Sequence, residues 1–196
     1  MVEKITESRI VSLFLRDYSR RIYLREAADD LKKPHQSIKP YIESLVKKNI
    51  LNETRRKNLL EFSLNFKNKA VYDYLIIAEK EKTQSFLQKH KKIKILYEKL
   101  NFYFEKDTFV IFGSSVDNPE KGRDIDLFHI GKSYIRDDIN DFTEIYSKNI
   151  HLLSTKSLKD SNLTFIKEIY KKHIIFNNTE TIIRFFGELH EKNKLV

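Results

Sequence analysis

Cysteine is absent from this chain of 196 residues, glycine occurs four times and proline three times. Without cysteine, neither a disulfide framework nor a thiolate zinc site can form. No apolar run approaches the roughly 20 residues that a membrane span needs. The apolar stretch near the N-terminus is broken by Ser12 and Arg16, with no small-residue cleavage site beside it, so no signal peptide is predicted. The expectation is a soluble, cytoplasmic protein without a membrane partner. Acidic residues are also the minority: 28 Asp and Glu face 37 Lys and Arg, a formal net charge of +9. That balance favours a polyanion, nucleic acid or a nucleotide, although an AT-rich or thermophilic source gives the same lysine and isoleucine richness. What is present in quantity is apolar: 40% hydrophobic residues are enough to bury a core in one medium domain or two small ones.

The charge is segregated along the chain. Residues 20–57 hold eleven basic and five acidic residues, whereas residues 107–131 hold two basic and five acidic. One basic module and one acidic pocket point to two functions. In the basic part, Ile10, Leu13, Phe14 and Tyr18 fall at helical spacing from Thr6, a candidate N-cap, to about Asp17. A short extended piece at Ile22–Leu24, a helix over Arg25–Leu31 and a turn at Lys32–His35 follow. A third helix is predicted over Ser37–Lys48, with Ser37 as cap and Pro40 in the first turn, where its missing N–H costs nothing. Leu51–Arg56 and Leu59–Leu64 then read as a hairpin with a basic tip.

The segment LREAADDLKKPHQSIKPYIESLVKKNIL (24–51) and its hairpin NETRRKNLLEFSL (52–64) resemble the winged helix-turn-helix domain of bacterial and archaeal regulators. The resemblance implies DNA binding, with the third helix in the major groove and the wing on the backbone. It would give base-facing roles to Gln36, Ser37, Lys39 and Tyr41, and phosphate contacts to Arg55, Arg56 and Lys57. Lys67–Phe104 reads as helical with a break near Lys89–Lys92. This divides the chain into a winged helix at 1–66, a connector at 67–92 and a further domain at 93–196.

In that last domain Phe109–Phe112 is a buried strand by composition, and Gly113-Ser114 ends it where a following helix is expected. A glycine turn admits a phosphate to the backbone, and a hydroxyl and free helix N–H groups hold an anion. After a loop containing Asn118-Pro119 and Lys121-Gly122, a second strand is predicted from Arg123 to Ile130. Its Asp124 and Asp126 share one face while Ile125 and Leu127 enter the core. Adjacent carboxylates repel unless a cation neutralises them, and magnesium binds through a few carboxylates plus substrate phosphates.

Strand, Gly113-Ser114, loop and Asp124-Ile-Asp126, in that order, resemble the nucleotidyltransferase superfamily that includes DNA polymerase beta, and most closely its minimal prokaryotic members. The resemblance runs from about Ile93 to the C-terminus, where KEIYKKHIIFNNTETIIRFF looks like the closing helix, strand and helix. It implies an α+β fold with a mixed sheet and a Mg2+ or Mn2+ ion held by Asp124 and Asp126 as catalytic residues. A nucleoside triphosphate would be bound by Gly113, Ser114 and Ser115. Active members carry a third carboxylate on a later strand; here that strand reads KNIHLL, with His151 in the place, and Asp138, Asp141 and Glu144 are the nearby alternatives. Three readings follow. The chain transfers a nucleoside monophosphate from a triphosphate to a protein or nucleic-acid acceptor, as antitoxin-type members do to a toxin partner. Alternatively, it is a nucleotide-sensing transcriptional regulator without turnover, possible as a homodimer. In the third, both modules are scaffolds.

Overall fold

The computed structural model describes residues 4–117, Pro119 and residues 124–195, and its architecture is α+β. Two compact units are present: the described residues up to Glu79 together with those from Ile183 onward, and Lys80–Ile182.

In the first unit the Thr6 hydroxyl caps helix α1 (Glu7–Val11) by accepting from the Arg9 amide at 3.2 Å. A single 3-10 turn, Ser12–Phe14, replaces the rest of the helix expected to reach Asp17. Strand β1 (Ile22–Tyr23) leads into α2 (Leu24–Leu31), which ends where Lys32 takes a left-handed conformation at φ 53°. Helix α3 (His35–Lys47) begins two residues before Ser37, because the Pro34 ring fixes an extended entry at φ −59°. Ser37 is therefore not the cap: its hydroxyl donates to the Pro34 carbonyl at 2.7 Å. Pro40 correspondingly lies in the second turn, not the first, where its missing N–H deprives the Gln36 carbonyl of its helical donor. Packing outweighs this defect, since Ile38, Ile42 and Leu45 are all buried, each worth about 1.5–3 kcal/mol.

Strands β2 (Leu51–Arg56) and β3 (Leu59–Leu64) form the expected hairpin, and the antiparallel sheet has the order β1-β3-β2. Lys57 takes the left-handed conformation that the tight reversal requires.

Helix α4 (Val71–Lys89) stops at the predicted break, where His90 leaves helical geometry at φ −122°, ψ 88°, and α5 (Lys91–Leu100) follows. The second unit then contributes β4 (Thr108–Phe112), β5 (Asp124–Ile130), α6 (Arg136–Tyr146), β6 (Asn149–Thr155), α7 (Leu163–Lys171), β7 (His173–Ile175) and the start of α8 (Thr179–Glu191). Arg123, Asn118 and the Lys121-Gly122 pair of the predicted loop lie outside the described residues.

The sheet order is β6-β5-β4-β7. β4 runs antiparallel to both neighbours, while β5 and β6 are parallel. Parallel strands need a crossover, and α6 supplies it. One sheet face carries Ile125 and Leu127 into a core with Leu96, Leu100, Phe109 and Phe142. On the other face Phe128 and Phe112 meet the ring of Phe165 at 5.0 and 5.2 Å. No helix among the described residues is long and apolar enough to cross a membrane. The boundary between the two units falls within α4 and within α8.

Candidate functional site

Asp124 and Asp126 stand two residues apart on β5, so strand alternation sets them on one face, opposite to the fully buried Ile125 and Leu127. The turn after β4 comes close to this face. Gly113 adopts φ +65°, and a Cβ there would lie 3.1 Å from Oδ2 of Asp126. The glycine thus provides both the left-handed turn and the open space beside the carboxylate.

The segment after Gly113 is a four-residue 3-10 turn, Gly113–Val116, and not the expected helix; a helix dipole therefore contributes nothing to anion binding here. Ser114 is exposed on that turn. Ser115 is buried, and its hydroxyl accepts the Asp126 amide at 2.9 Å while facing the Asp124 carbonyl at 3.3 Å. It braces the turn against β5, which leaves Ser114 as the serine of this pair open to a ligand.

The parallel register sets Asp124 beside Asn149 and Asp126 beside His151. Asn149 donates its amide to Oδ1 of Asp124 at 3.0 Å, and Nδ1 of His151 lies 3.3 Å from Oδ1 of Asp126. His151 is thus the β6 neighbour of Asp126. Asp138 does not take its place, because its carboxylate accepts from the Tyr103 hydroxyl and pairs with Lys99. The Tyr103 hydrogen bond is the main reason its carboxyl is held below the usual range, with Lys99 reinforcing it against the opposing effect of burial. Asp141 also turns to Lys99, and Glu144 is exposed on the same helix.

Two lysines frame the turn. Lys172 pairs with Asp117 and, through its carbonyl, accepts the Gly113 amide at 3.3 Å; buried Lys148 donates to the Pro119 carbonyl at 3.0 Å. Sequence reasoning misses Asn149, Lys148 and Lys172, and only the first has a signal: once β6 is aligned in parallel with β5, the two-residue period sets Asn149 against Asp124 as it sets His151 against Asp126.

No group of three or more His, Cys, Asp or Glu residues among the described ones is arranged to hold a metal. Two carboxylates on one strand face do suit a single magnesium ion that takes its remaining oxygens from phosphates and water. His151, beside Asp126, adds no oxygen ligand for such an ion.

In the first unit, Gln36, Ser37 and Lys39 are exposed on α3 and Tyr41 is half-buried. Lys39 lies 3.6 Å from Glu43, one turn along the helix. Arg55, Arg56 and Lys57 are exposed at the hairpin tip, but neighbouring positions on a strand face opposite ways, so Arg55 and Arg56 do not share a surface. Arg56 also lies 3.7 Å from buried Glu61, whose carboxyl is lowered chiefly by the hydrogen bond from Arg21. Between α3 and the hairpin opens a cleft of about 720 Å³, with Ile42, Leu59, Leu60 and Phe62 among its lining residues.

Compared with known proteins, the chain matches no family model, no curated protein and no solved structure.

Proposed function

We propose that this chain is a nucleotidyltransferase-fold protein with a DNA-binding winged helix, transferring a nucleoside monophosphate from a nucleoside triphosphate to a protein or nucleic-acid acceptor. The observation that carries the reading is the position of the Asp126 carboxylate, on the same strand face as Asp124 and 3.1 Å from where a Cβ of Gly113 would be. Asp124 and Asp126 would hold magnesium together with the triphosphate. The ion would supply charge neutralisation on the phosphates and polarise the α-phosphorus.

The chain's own residues set the geometry. Ser115 fixes the distance between turn and strand, the Gly113 turn leaves room for a phosphoryl group, and exposed Ser114 offers a hydroxyl to it. Asn149 holds one oxygen of Asp124 in place. In the transfer, an acceptor oxygen forms a bond to the α-phosphorus and the bond from that phosphorus to the bridging oxygen breaks. Pyrophosphate leaves and the acceptor's proton passes to water.

The winged-helix half of the reading is supported by the order of elements in the first unit, by the exposed polar side chains of α3 and by the basic hairpin tip. A second reading, nucleotide sensing without turnover, is favoured by His151: imidazole beside Asp126 is a poor magnesium ligand where an oxygen would serve.

Incubation with labelled ATP, GTP, CTP and UTP, magnesium, and candidate protein and nucleic-acid acceptors separates the two. Label transferred by the native chain and abolished in Asp124→Ala/Asp126→Ala supports transfer. Nucleotide-dependent shifts of DNA mobility without any transfer support sensing, and neither result with any nucleotide defeats both.

A further inference from the structure

The opposite end of the β5–β6 pair has a second opening, of the opposite charge. A cavity of about 790 Å³ lies between the 131–135 loop, the start of α6 and the face of β6 that carries Ile150, Leu152 and Ser154, with Lys132, Arg136 and Lys156 at the end beyond β5. Lys132, Arg136 and Lys156 line it, and no carboxylate does. Among the described residues, none of these three side chains is engaged in an ion pair or hydrogen bond. The described carboxylates nearby, Asp107 beneath the loop and Asp137 in the first turn of α6, form no ion pair with these three; the cations repel one another, and an anion placed among them relieves that repulsion.

The backbone around the cavity is fixed. A Cβ on Gly131 would lie 1.8 Å from Oδ1 of Asp107, so only glycine lets this buried carboxylate approach. Asp107 accepts the Lys132 amide at 3.0 Å, and its Oδ2 lies 3.4 Å from Nε2 of His129, itself a buried lining residue. Burial pushes the Asp107 carboxyl up, but the Ser133 hydroxyl, the Lys132 amide and His129 together bring it below its usual value. The loop that presents Lys132 is thus tied to a charged group beneath it. The cavity also opens beyond the carboxyl end of β5, at the first turn of the crossover helix α6, where Asp137 and Asp138 offset the free main-chain N–H groups and leave the positive potential to the three side chains.

We propose that this cavity binds the phosphoryl group of a small phosphorylated ligand through Lys132, Arg136 and Lys156, independently of Asp124 and Asp126. The group can come from a free polyphosphate or from a nucleotide. Tyr134 at the rim is 68% exposed, with its hydroxyl 3.3 Å from Asp137, and offers a ring on which a base can stack.

Calorimetry on the full chain at low salt, with EDTA present to silence the carboxylate pair, tests this with pyrophosphate and AMP as probes. Saturable binding is expected, at least tenfold weaker in Lys132→Ala/Arg136→Ala/Lys156→Ala and unchanged in Asp124→Ala/Asp126→Ala. The three side chains are exposed, so thermal melting of the triple variant should match the native chain; Lys156→Gln alone, the mildest change, should still weaken binding. Tighter pyrophosphate binding assigns a free polyphosphate. Tighter AMP binding, reduced by Tyr134→Ala, assigns a nucleotide. Absence of saturable binding, native affinity in the triple variant, or loss of binding in the double aspartate variant overturns the proposal, whatever the labelled-transfer experiment shows.

Discussion

The two ends of the β5–β6 pair share one hydrogen-bonded ladder and present opposite charge. At the start of the ladder, Asp124 and Asp126 share one face, Asp126 beside a glycine turn, each with a polar β6 neighbour. At its finish, Lys132, Arg136 and Lys156 surround a cavity on the α6 side, and Asp107 secures the loop from beneath. Strand parity and strand polarity are enough to separate a pair of carboxylates from a set of cations within a single small sheet. Glycine serves both ends for different reasons: Gly113 for a left-handed turn beside a carboxylate, Gly131 for the close approach of another.

The largest expected effect on this contrast comes from Gly131→Ala. With a Cβ forced to 1.8 Å from a buried carboxylate oxygen, the second unit should lose about 3 kcal/mol in urea unfolding. Pyrophosphate binding should fall as the loop shifts, whereas magnesium-dependent nucleotide binding at the other end should persist. A neutral Gly131→Ala would show that the loop is not held as described.

Asp107→Asn should cost less, about 2 kcal/mol, because it removes charge from a set of hydrogen bonds and leaves the shape. The pH dependence carries a sign. Asp107 is held below its ordinary 3.8, so the unfolded chain takes up the proton first; its contribution is complete at neutral pH and is lost as pH falls below about 3.8 through the folded value. Unfolding followed from pH 7 to pH 3 should therefore be flatter for the variant than for the native chain in the acid range.

His151→Asp sharpens the contrast from the acidic end. A third carboxylate beside Asp126 should raise magnesium-dependent label transfer roughly tenfold, equivalent to about 1.4 kcal/mol. No gain, with nucleotide binding intact, would favour sensing. The smallest effect concerns the hairpin: Arg55→Ala/Arg56→Ala/Lys57→Ala should lower the salt dependence of DNA binding by a log–log slope of about 1–3, with nucleotide binding unchanged. Arg56 should contribute least of the three, since Glu61 already lies beside it.

Local pattern makes some of this legible in the sequence. The basic tip between two short segments gives the bounds of β2 and β3, the lysine-rich interruption gives the break at His90, and the Asp-Ile-Asp alternation gives the shared carboxylate face. The remainder depends on choices that local pattern does not decide. Pro34 and Ser37 both offer ways to begin α3, and the rigid entry at Pro34 prevails, which moves Pro40 into the second turn. A short 3-10 turn rather than a helix follows Gly113, and within it the Ser115 hydroxyl accepts the Asp126 amide of β5. The basic cavity has no contiguous signal at all: Lys132 and Arg136 sit in the loop and helix after β5, Lys156 follows β6, and only the parallel crossover brings them together.

The account rests on Asp124 and Asp126 as the grip on a metal-bound triphosphate. The most direct test is calorimetry of each nucleoside triphosphate with the full chain, with and without magnesium, comparing the native protein with Asp124→Ala/Asp126→Ala. The expected result is binding that requires magnesium and weakens at least a hundredfold in the double variant, about 2.7 kcal/mol, while EDTA-resistant pyrophosphate binding stays as it was. Magnesium-independent binding of equal strength in both proteins, or none with any nucleotide, would contradict it.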